Sequence, residues 1–215
     1  MISTGLARLD NLLGGGIAGG EICDIFGPSG TGKTQLAMQV CANAVTEKII
    51  YQDTTGTFRP ERVLQMMRAR GHGPELLDNI TVARITNTAE QVANLSKLGE
   101  LQPALVVIDN ITDLFSFEYA KESSSLEKHI RFMQYMHSLS LECIRHRIPA
   151  VITNGVRGTG EEQRESLGRS ISIFTHRQIR LSKSGTMFAA QVTPSFGRKK
   201  EAAFEITPEG LAEAG

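Results

Sequence analysis

The chain has 215 residues, with 23 basic and 23 acidic side chains and no formal net charge. One core accommodates that length, and the zero balance excludes a histone-like polyanion binder that relies on bulk positive charge. A hydrophobic share of 40% and a charged share of 21% exclude a disordered chain.

Cys23, Cys41 and Cys143 lie far apart, without a CxxC pair or the spacing of a zinc site, and read as buried thiols of a reducing compartment. No apolar run reaches the ~18 residues of a membrane span, and the N-terminus has no signal pattern. The expectation is a cytoplasmic protein with no membrane partner.

Short apolar, β-branched runs alternate with longer segments of helical period. Residues 21–26, 49–52, 80–83, 104–108 and 150–153 are predicted strands, and the segments between them predicted helices. Leu105-Val106-Val107-Ile108 is apolar at every position, the pattern of a strand covered on both faces of a parallel sheet. The fold class that follows is α/β, a doubly wound and mainly parallel sheet in one domain over residues 1–215. The longest helical segment, 124–147, carries Leu126, Ile130, Met133, Met136, Leu139 and Leu141. That stripe is read as packed on the sheet, with an interaction face for another helix as the alternative. From residue 178 short strands at 179–181, 188–192 and 203–206 succeed one another without helices, which predicts an antiparallel extension.

Gly27-Pro28-Ser29-Gly30-Thr31-Gly32-Lys33-Thr34 fits G-x-x-x-x-G-K-[ST], follows the first strand and opens a helix at Gln35. In that setting backbone N–H groups and the helix N-terminus face phosphates, Lys33 adds a mobile cation, and Thr34 offers a hydroxyl to Mg²⁺. Asp109 ends an apolar strand, where a carboxylate can hold the Mg²⁺ water shell; a turn or cap role is the alternative.

Ser3-Thr4-Gly5-Leu6, Gly14-Gly15-Gly16, Gly32-Lys33-Thr34-Gln35-Leu36 and Gly56-Thr57-Phe58-Arg59-Pro60-Glu61-Arg62 resemble the core of RecA/RadA-type recombinases, and the likeness continues to Phe204-Glu205-Ile206-Thr207. The run 56–62 separates it from KaiC-like ATPases, which share the opening and the phosphate loop. With no helix-hairpin-helix segment ahead of the core, the chain is most similar to the core-only RadB paralogues. The resemblance implies a RecA-like fold, ATP and Mg²⁺ as ligands, weak hydrolysis, single-stranded DNA as a nucleoid-associated partner, and an accessory role beside a main RadA-type recombinase. It implies homo- or hetero-oligomers too. A DNA-dependent ATPase active in strand exchange is the alternative.

The resemblance places the water-polarising glutamate of the family where this chain has Thr55, and threonine has neither the charge nor the basicity for that work. Asp53, on the same strand face by period two, is a candidate substitute. Gly155 stands where the family has a glutamine that senses the γ-phosphate. Arg62 matches the family's adenine-stacking arginine; an ion pair with Glu61 or Asp53 is the alternative. Around Thr193 to Lys200 the resemblance expects a strand that caps a neighbour's adenine.

Two loops touch DNA in the family. The first, 116–125, has lost its basic character to Lys121-Glu122-Ser123-Ser124-Ser125. The second, 157–168, offers Arg157, Arg164 and, just beyond it, Arg169 to phosphates, interleaved with Glu161, Glu162 and Glu165, so that a solvated mixed-charge loop is the alternative. Arg198-Lys199-Lys200 is a third basic element, either on phosphates or simply solvated. Residues 157–200 carry nine basic side chains against three glutamates, so the neutral total is a cancellation along the chain.

Overall fold

Strands form where the β-branched runs lie. The computed structural model describes residues 1–157, 164–193 and 200–214. In chain order α1 (Ala7–Leu13) is followed by β1 (Ile22–Gly27), α2 (Lys33–Ala44), β2 (Ile49–Asp53), α3 (Pro60–Arg68), β3 (Ile80–Arg84), α4 (Thr88–Ala93), α5 (Ser96–Leu101), β4 (Leu105–Asp109) and α6 (Asp113–Glu118). Then come α7 (Ser125–His146), β5 (Ala150–Arg157), β6 (Arg164–Glu165), α8 (Gly168–Ser172), β7 (Arg177–Ser184), β8 (Met187–Thr193), β9 (Lys200–Thr207) and β10 (Gly210–Glu213).

The sheet runs β10-β9-β8-β7-β1-β5-β4-β2-β3, with β6 paired to β5. Pairings from β7 through β1, β5, β4 and β2 to β3 are parallel, and those from β7 to β10 antiparallel. This is the expected α/β architecture with its antiparallel extension. No helix among the described residues is long and apolar enough to cross a membrane.

Alternation along the central strands explains their unbroken apolar runs. Cys23, Ile25, Leu105, Val107 and Val151 join the core under α1, α2 and α3, while Ile22, Val106, Ile108, Ala150 and Ile152 join the core under α5, α7 and α8. Both faces are covered, so no position tolerates a charge without a partner. In the antiparallel arm one face is packed: Ile179, Leu181, Ala190, Val192, Ala202 and Phe204 join the first core. All three cysteines are buried, and burial pushes the Cys143 thiol up to about 12.

Local chemistry sets the helix ends near the site. Arg59 is extended and Pro60 begins α3 with its φ already helical, Glu61 sits at the positive end of the dipole and Arg68 at the negative end. Val63, Met66 and Met67 then turn to the core. The expected stripe of α7 is corrected. The helix buries Phe132, Tyr135, Met136, Leu139 and Cys143, whereas Leu126, Ile130 and Leu141 are exposed, because the two aromatic rings and their neighbours claim the face against the sheet and turn those aliphatics outward.

Candidate functional site

At the carboxyl end of β1 the chain turns through the phosphate loop into α2. Gly32 caps α2 in the left-handed region at φ 94°, which a side chain would strain. A Cβ on Gly30 would meet nothing within 4 Å, so the loop opens there onto free space. That space is a cleft of about 370 Å³ lined by Ser29, Gly30, Gly32, Lys33, Thr34, Gln35, Thr57 and Ile206. Six of these were expected from the motif. Gly27, Pro28 and Thr31 build the loop behind them: Thr31 Oγ1 donates to Pro28 O at 2.8 Å, and Lys33 Nζ donates to Gly27 O and Pro28 O, both at 2.9 Å. Burial lowers the Lys33 ammonium pKa, while the negative charges of Asp109 and then Asp113 raise it. An ammonium partly stripped of water suits an incoming phosphate anion. Thr57 and Ile206 were missed; Ile206 is brought to the loop by β9, a relation that no local spacing encodes.

Asp109 ends β4 beside this cleft, almost wholly buried. Tyr51 Oη donates to its Oδ2 at 2.8 Å, and Thr153 Oγ1 donates to its Oδ1. Thr54 locks the neighbouring backbone, donating from its N to Asp109 O at 2.9 Å and from its Oγ1 to Asn110 O at 2.7 Å. The carboxylate is therefore fixed from β2 and β5 on both sides. Oxygen donors on Thr34 and Asp109 suit Mg²⁺, which takes few protein ligands and keeps its water.

Asp53 is not available as a substitute base. Its Oδ1 accepts from the N–H groups of Thr55, Gly56 and Thr57 at 3.1, 2.7 and 3.2 Å and from Thr55 Oγ1 at 3.3 Å, and its Oδ2 from Phe58 N at 3.2 Å. Arg84 approaches to 3.3 Å. The carboxylate thus anchors the turn after β2. Thr55 Oγ1 lies 2.7 Å from Thr57 Oγ1, so two neutral hydroxyls stand where a glutamate was expected.

Arg62 makes neither of the anticipated ion pairs. Its guanidinium donates to Gln35 Oε1 at 2.6 Å, Gln65 Oε1 at 3.1 Å, Thr207 O at 2.6 Å and Pro208 O at 2.5 Å. It fastens the β9–β10 turn to α2 and α3.

Gly155 pairs with Gly27 in register, and a Cβ there would meet nothing within 4 Å. One residue earlier, Asn154 Nδ2 donates to Glu165 Oε1 at 2.8 Å and to Ser166 O at 2.7 Å, tying β5 to the C-terminal part of the expected second DNA loop. Glu165 faces Asp24, which is fully buried in β1. Burial, and then the negative charge of Glu165, pushes the Asp24 carboxyl well above the usual range, and burial raises Glu165 as well.

Of the expected DNA contacts, Arg198 and Lys199 lie outside the described residues, as do 194–197 of the expected adenine-capping strand. The backbone of Arg157 is in β5, that of Arg164 in β6 and that of Lys200 in β9. Arg169 is exposed on α8 and borders a cleft of about 330 Å³ with Lys128, His129, Ser116 and Ser170. Lys128 and His129 were missed because they sit in a helix that reads as structural. The first expected DNA loop is largely helical: residues 116–118 end α6, and Glu122–Ser124 form a 3₁₀ turn running into α7.

The chain matches the Rad51 family model over residues 1–213. It is 31% identical over 233 residues to the DNA repair and recombination protein RadA of Cenarchaeum symbiosum, covering 99% of this chain and 58% of that protein. The proteins of the same description from Metallosphaera sedula and Ignicoccus hospitalis are 30% and 29% identical, with 99% of this chain and 72% of each relative covered. The chain thus spans less than two thirds of the first of these relatives. A phosphate loop on β1, an acidic end to β4 and a sheet of this order, matched over nearly every residue, place the chain in the Rad51 family, within the RecA/RadA-type recombinase superfamily.

Proposed function

We propose that this protein is a nucleotide-dependent accessory factor in homologous recombination and DNA repair, of the RadB kind. It binds ATP with Mg²⁺, engages single-stranded DNA without reading its sequence, and assists a RadA-type recombinase while hydrolysing ATP slowly. One juxtaposition carries the reading. The phosphate loop, Lys33, Thr34 and Asp109 stand at the carboxyl ends of the central strands, and beside them the position that polarises water in the family holds Thr55, bonded to Thr57. Asp53 does not compensate, since five donors of its own turn occupy its carboxylate.

When bound, Mg²⁺ neutralises charge on the phosphate oxygens. Thr34 and, through the ion's water shell, Asp109 would hold it. Lys33 leaves the loop carbonyls for phosphate oxygens, and the hydroxyls of Thr55 and Thr57 can bond a water yet lack the basicity to take its proton at neutral pH. Arg169 and Lys128, with Arg157, Arg164, Arg198, Lys199 and Lys200, supply the positive charge toward DNA, whose backbone contact is salt-sensitive and sequence-independent.

Titration with a fluorescent ATP analogue and steady-state turnover with and without single-stranded DNA test this. The expected result is Mg²⁺-dependent binding that Lys33→Ala weakens at least tenfold, with turnover far below the ~1 s⁻¹ at the low end of ordinary enzymes and unchanged by DNA. Robust DNA-stimulated turnover would overturn it. Co-filtration with the main recombinase of the same cell, with and without ATP, tests the partner.

Asp113 favours a second reading, a working ATPase. This carboxylate opens α6, and its negative charge, after that of Asp109, raises the Lys33 pKa against the lowering by burial. Under that reading Asp113→Asn abolishes DNA-stimulated turnover; under the first it leaves the slow rate unchanged.

A further inference from the structure

Helix α7 has two apolar faces. The inner one packs on the sheet through Phe132, Tyr135, Met136, Leu139 and Cys143. The outer one carries Leu126, Ile130, Leu141 and Ile144, which are 74%, 49%, 43% and 57% exposed. At ~100° per residue these four fall within about 60° of one another, on the side of the helix away from the sheet. Met133 and His137 lie between them on the same line. Val92 of α4, itself exposed, borders a shallow cleft with Leu141 and so widens the strip. Nothing among the described residues covers it. A continuous exposed apolar strip of this length marks a contact surface rather than scattered exposure.

The order of residues along the strip says what covers it. Leu126 and Ile144 stand nine positions either side of Tyr135, Met133 and His137 stand two either side, and Ile130 and Leu141 stand five and six. A strip symmetric about its own midpoint is complementary to itself when two copies run antiparallel. The charges follow the same symmetry. Glu127 and Arg145 are eight and ten positions from the midpoint on the same flank; both side chains are more than half exposed, and each has an exposed ion pair within the helix, with Arg131 at 3.7 Å and Glu142 at 3.1 Å, that a contact between copies would extend or replace. Across a two-fold axis each Glu127 faces an Arg145 of the other copy. On the other flank His129 faces Ser140, so no like charges meet.

We propose that this protein self-associates through the outer face of α7, packed antiparallel against α7 of a second copy, with Leu126 against Ile144 and Glu127 against Arg145 across the two-fold axis. The interface lies on the helical layer over one sheet face, away from the cleft at Gly30 and Lys33, and its failure leaves the nucleotide reading untouched.

Sedimentation equilibrium of the full chain tests the pairing, followed by charge exchange and cross-linking. The expected mass rises with concentration toward twice 23.4 kDa. Leu126→Glu weakens association at least tenfold while the circular dichroism spectrum and nucleotide binding hold. Glu127→Arg alone weakens it, and Glu127→Arg with Arg145→Glu restores it. Within one helix these two residues are ~27 Å apart, so restoration reads contact between copies and not helix stability. Under mild oxidation, a mixture of Leu126→Cys and Ile144→Cys proteins forms a cross-linked pair, whereas either alone stays uncross-linked. A monomer throughout, a dimer indifferent to Leu126→Glu, cross-linking of Leu126→Cys with itself, or a charge exchange without restoration overturns the proposal. So does binding of a recombinase to this face without self-association.

Discussion

Threonine at position 55 changes what the cleft can do to a water molecule. Its hydroxyl and that of Thr57 hold each other at 2.7 Å, and neither is a base at neutral pH. Thr55→Glu places a carboxylate on a turn already fixed by Asp53, and turnover rises by ~10²-fold where the carboxylate is the only deficit. A single-turnover assay checks this. If the gain is small, Thr55→Glu with Gly155→Gln is the informative double variant, because the space beyond Gly155 is open to a side chain. A second residue-scale effect is buried. Asp24 and Glu165 both titrate above their ordinary range, raised by burial. A carboxyl whose folded pKa is raised contributes stability that is complete below about pH 4 and lost as pH climbs through the folded value. Asp24→Asn keeps a donor toward Glu165 and cannot ionise. The variant therefore gains on the native protein as pH rises from 5 to 8, by ~1.4 kcal/mol for each unit of raised pKa, in urea unfolding followed at both pH values. No widening of the gap with pH would show that the Asp24 carboxyl is not raised in the folded protein.

At the level of elements, Arg62 is the clasp between α3, α2 and the β9–β10 turn. Arg62→Ala removes four hydrogen bonds, two of them to turn carbonyls, and frees Gln35 at the cleft. Because the site is partly exposed, the expected loss is about 1–2 kcal/mol. Hydrogen exchange separates this from a mere loss of ligand contact: amides of Thr207 and Leu211 exchange faster in the variant even without nucleotide. The parallel strands were legible because burial on both faces leaves a run such as Leu105-Val106-Val107-Ile108 with no other stable place. The face of α7 was not legible, since leucine and methionine occur on both its sides and only Phe132 and Tyr135, by bulk, decide which turns inward. Strand β6 is two residues long and exists through its pairing with β5, a relation absent from local periodicity. The phosphate loop could be read outright, whereas the engagement of Asp53 could not: five donors converge on it through the path of the turn, not through its composition.

For the whole molecule, the cleft draws on separated parts of the sequence. Its floor is the turn between β1 and α2, and Ile206 of β9 forms a wall. A ligand held there binds only the assembled sheet. Saturating nucleotide at about 100 times its Kd stabilises the fold by ~2.7 kcal/mol, which a thermal shift with ATP and Mg²⁺ detects and Lys33→Ala cuts to about half or less at the same nucleotide concentration. An undiminished shift in Lys33→Ala would mean that the nucleotide sits elsewhere.

The wall at Ile206 also has a consequence in time. It meets the phosphate loop across about 170 residues of intervening chain, so that wall is among the contacts that cost most closure entropy to bring together. A nucleotide that needs it finds no binding partner in the folding transition state. ATP should therefore slow unfolding while leaving the refolding rate unchanged, acting as a brake on loss of the native state and not as a guide toward it.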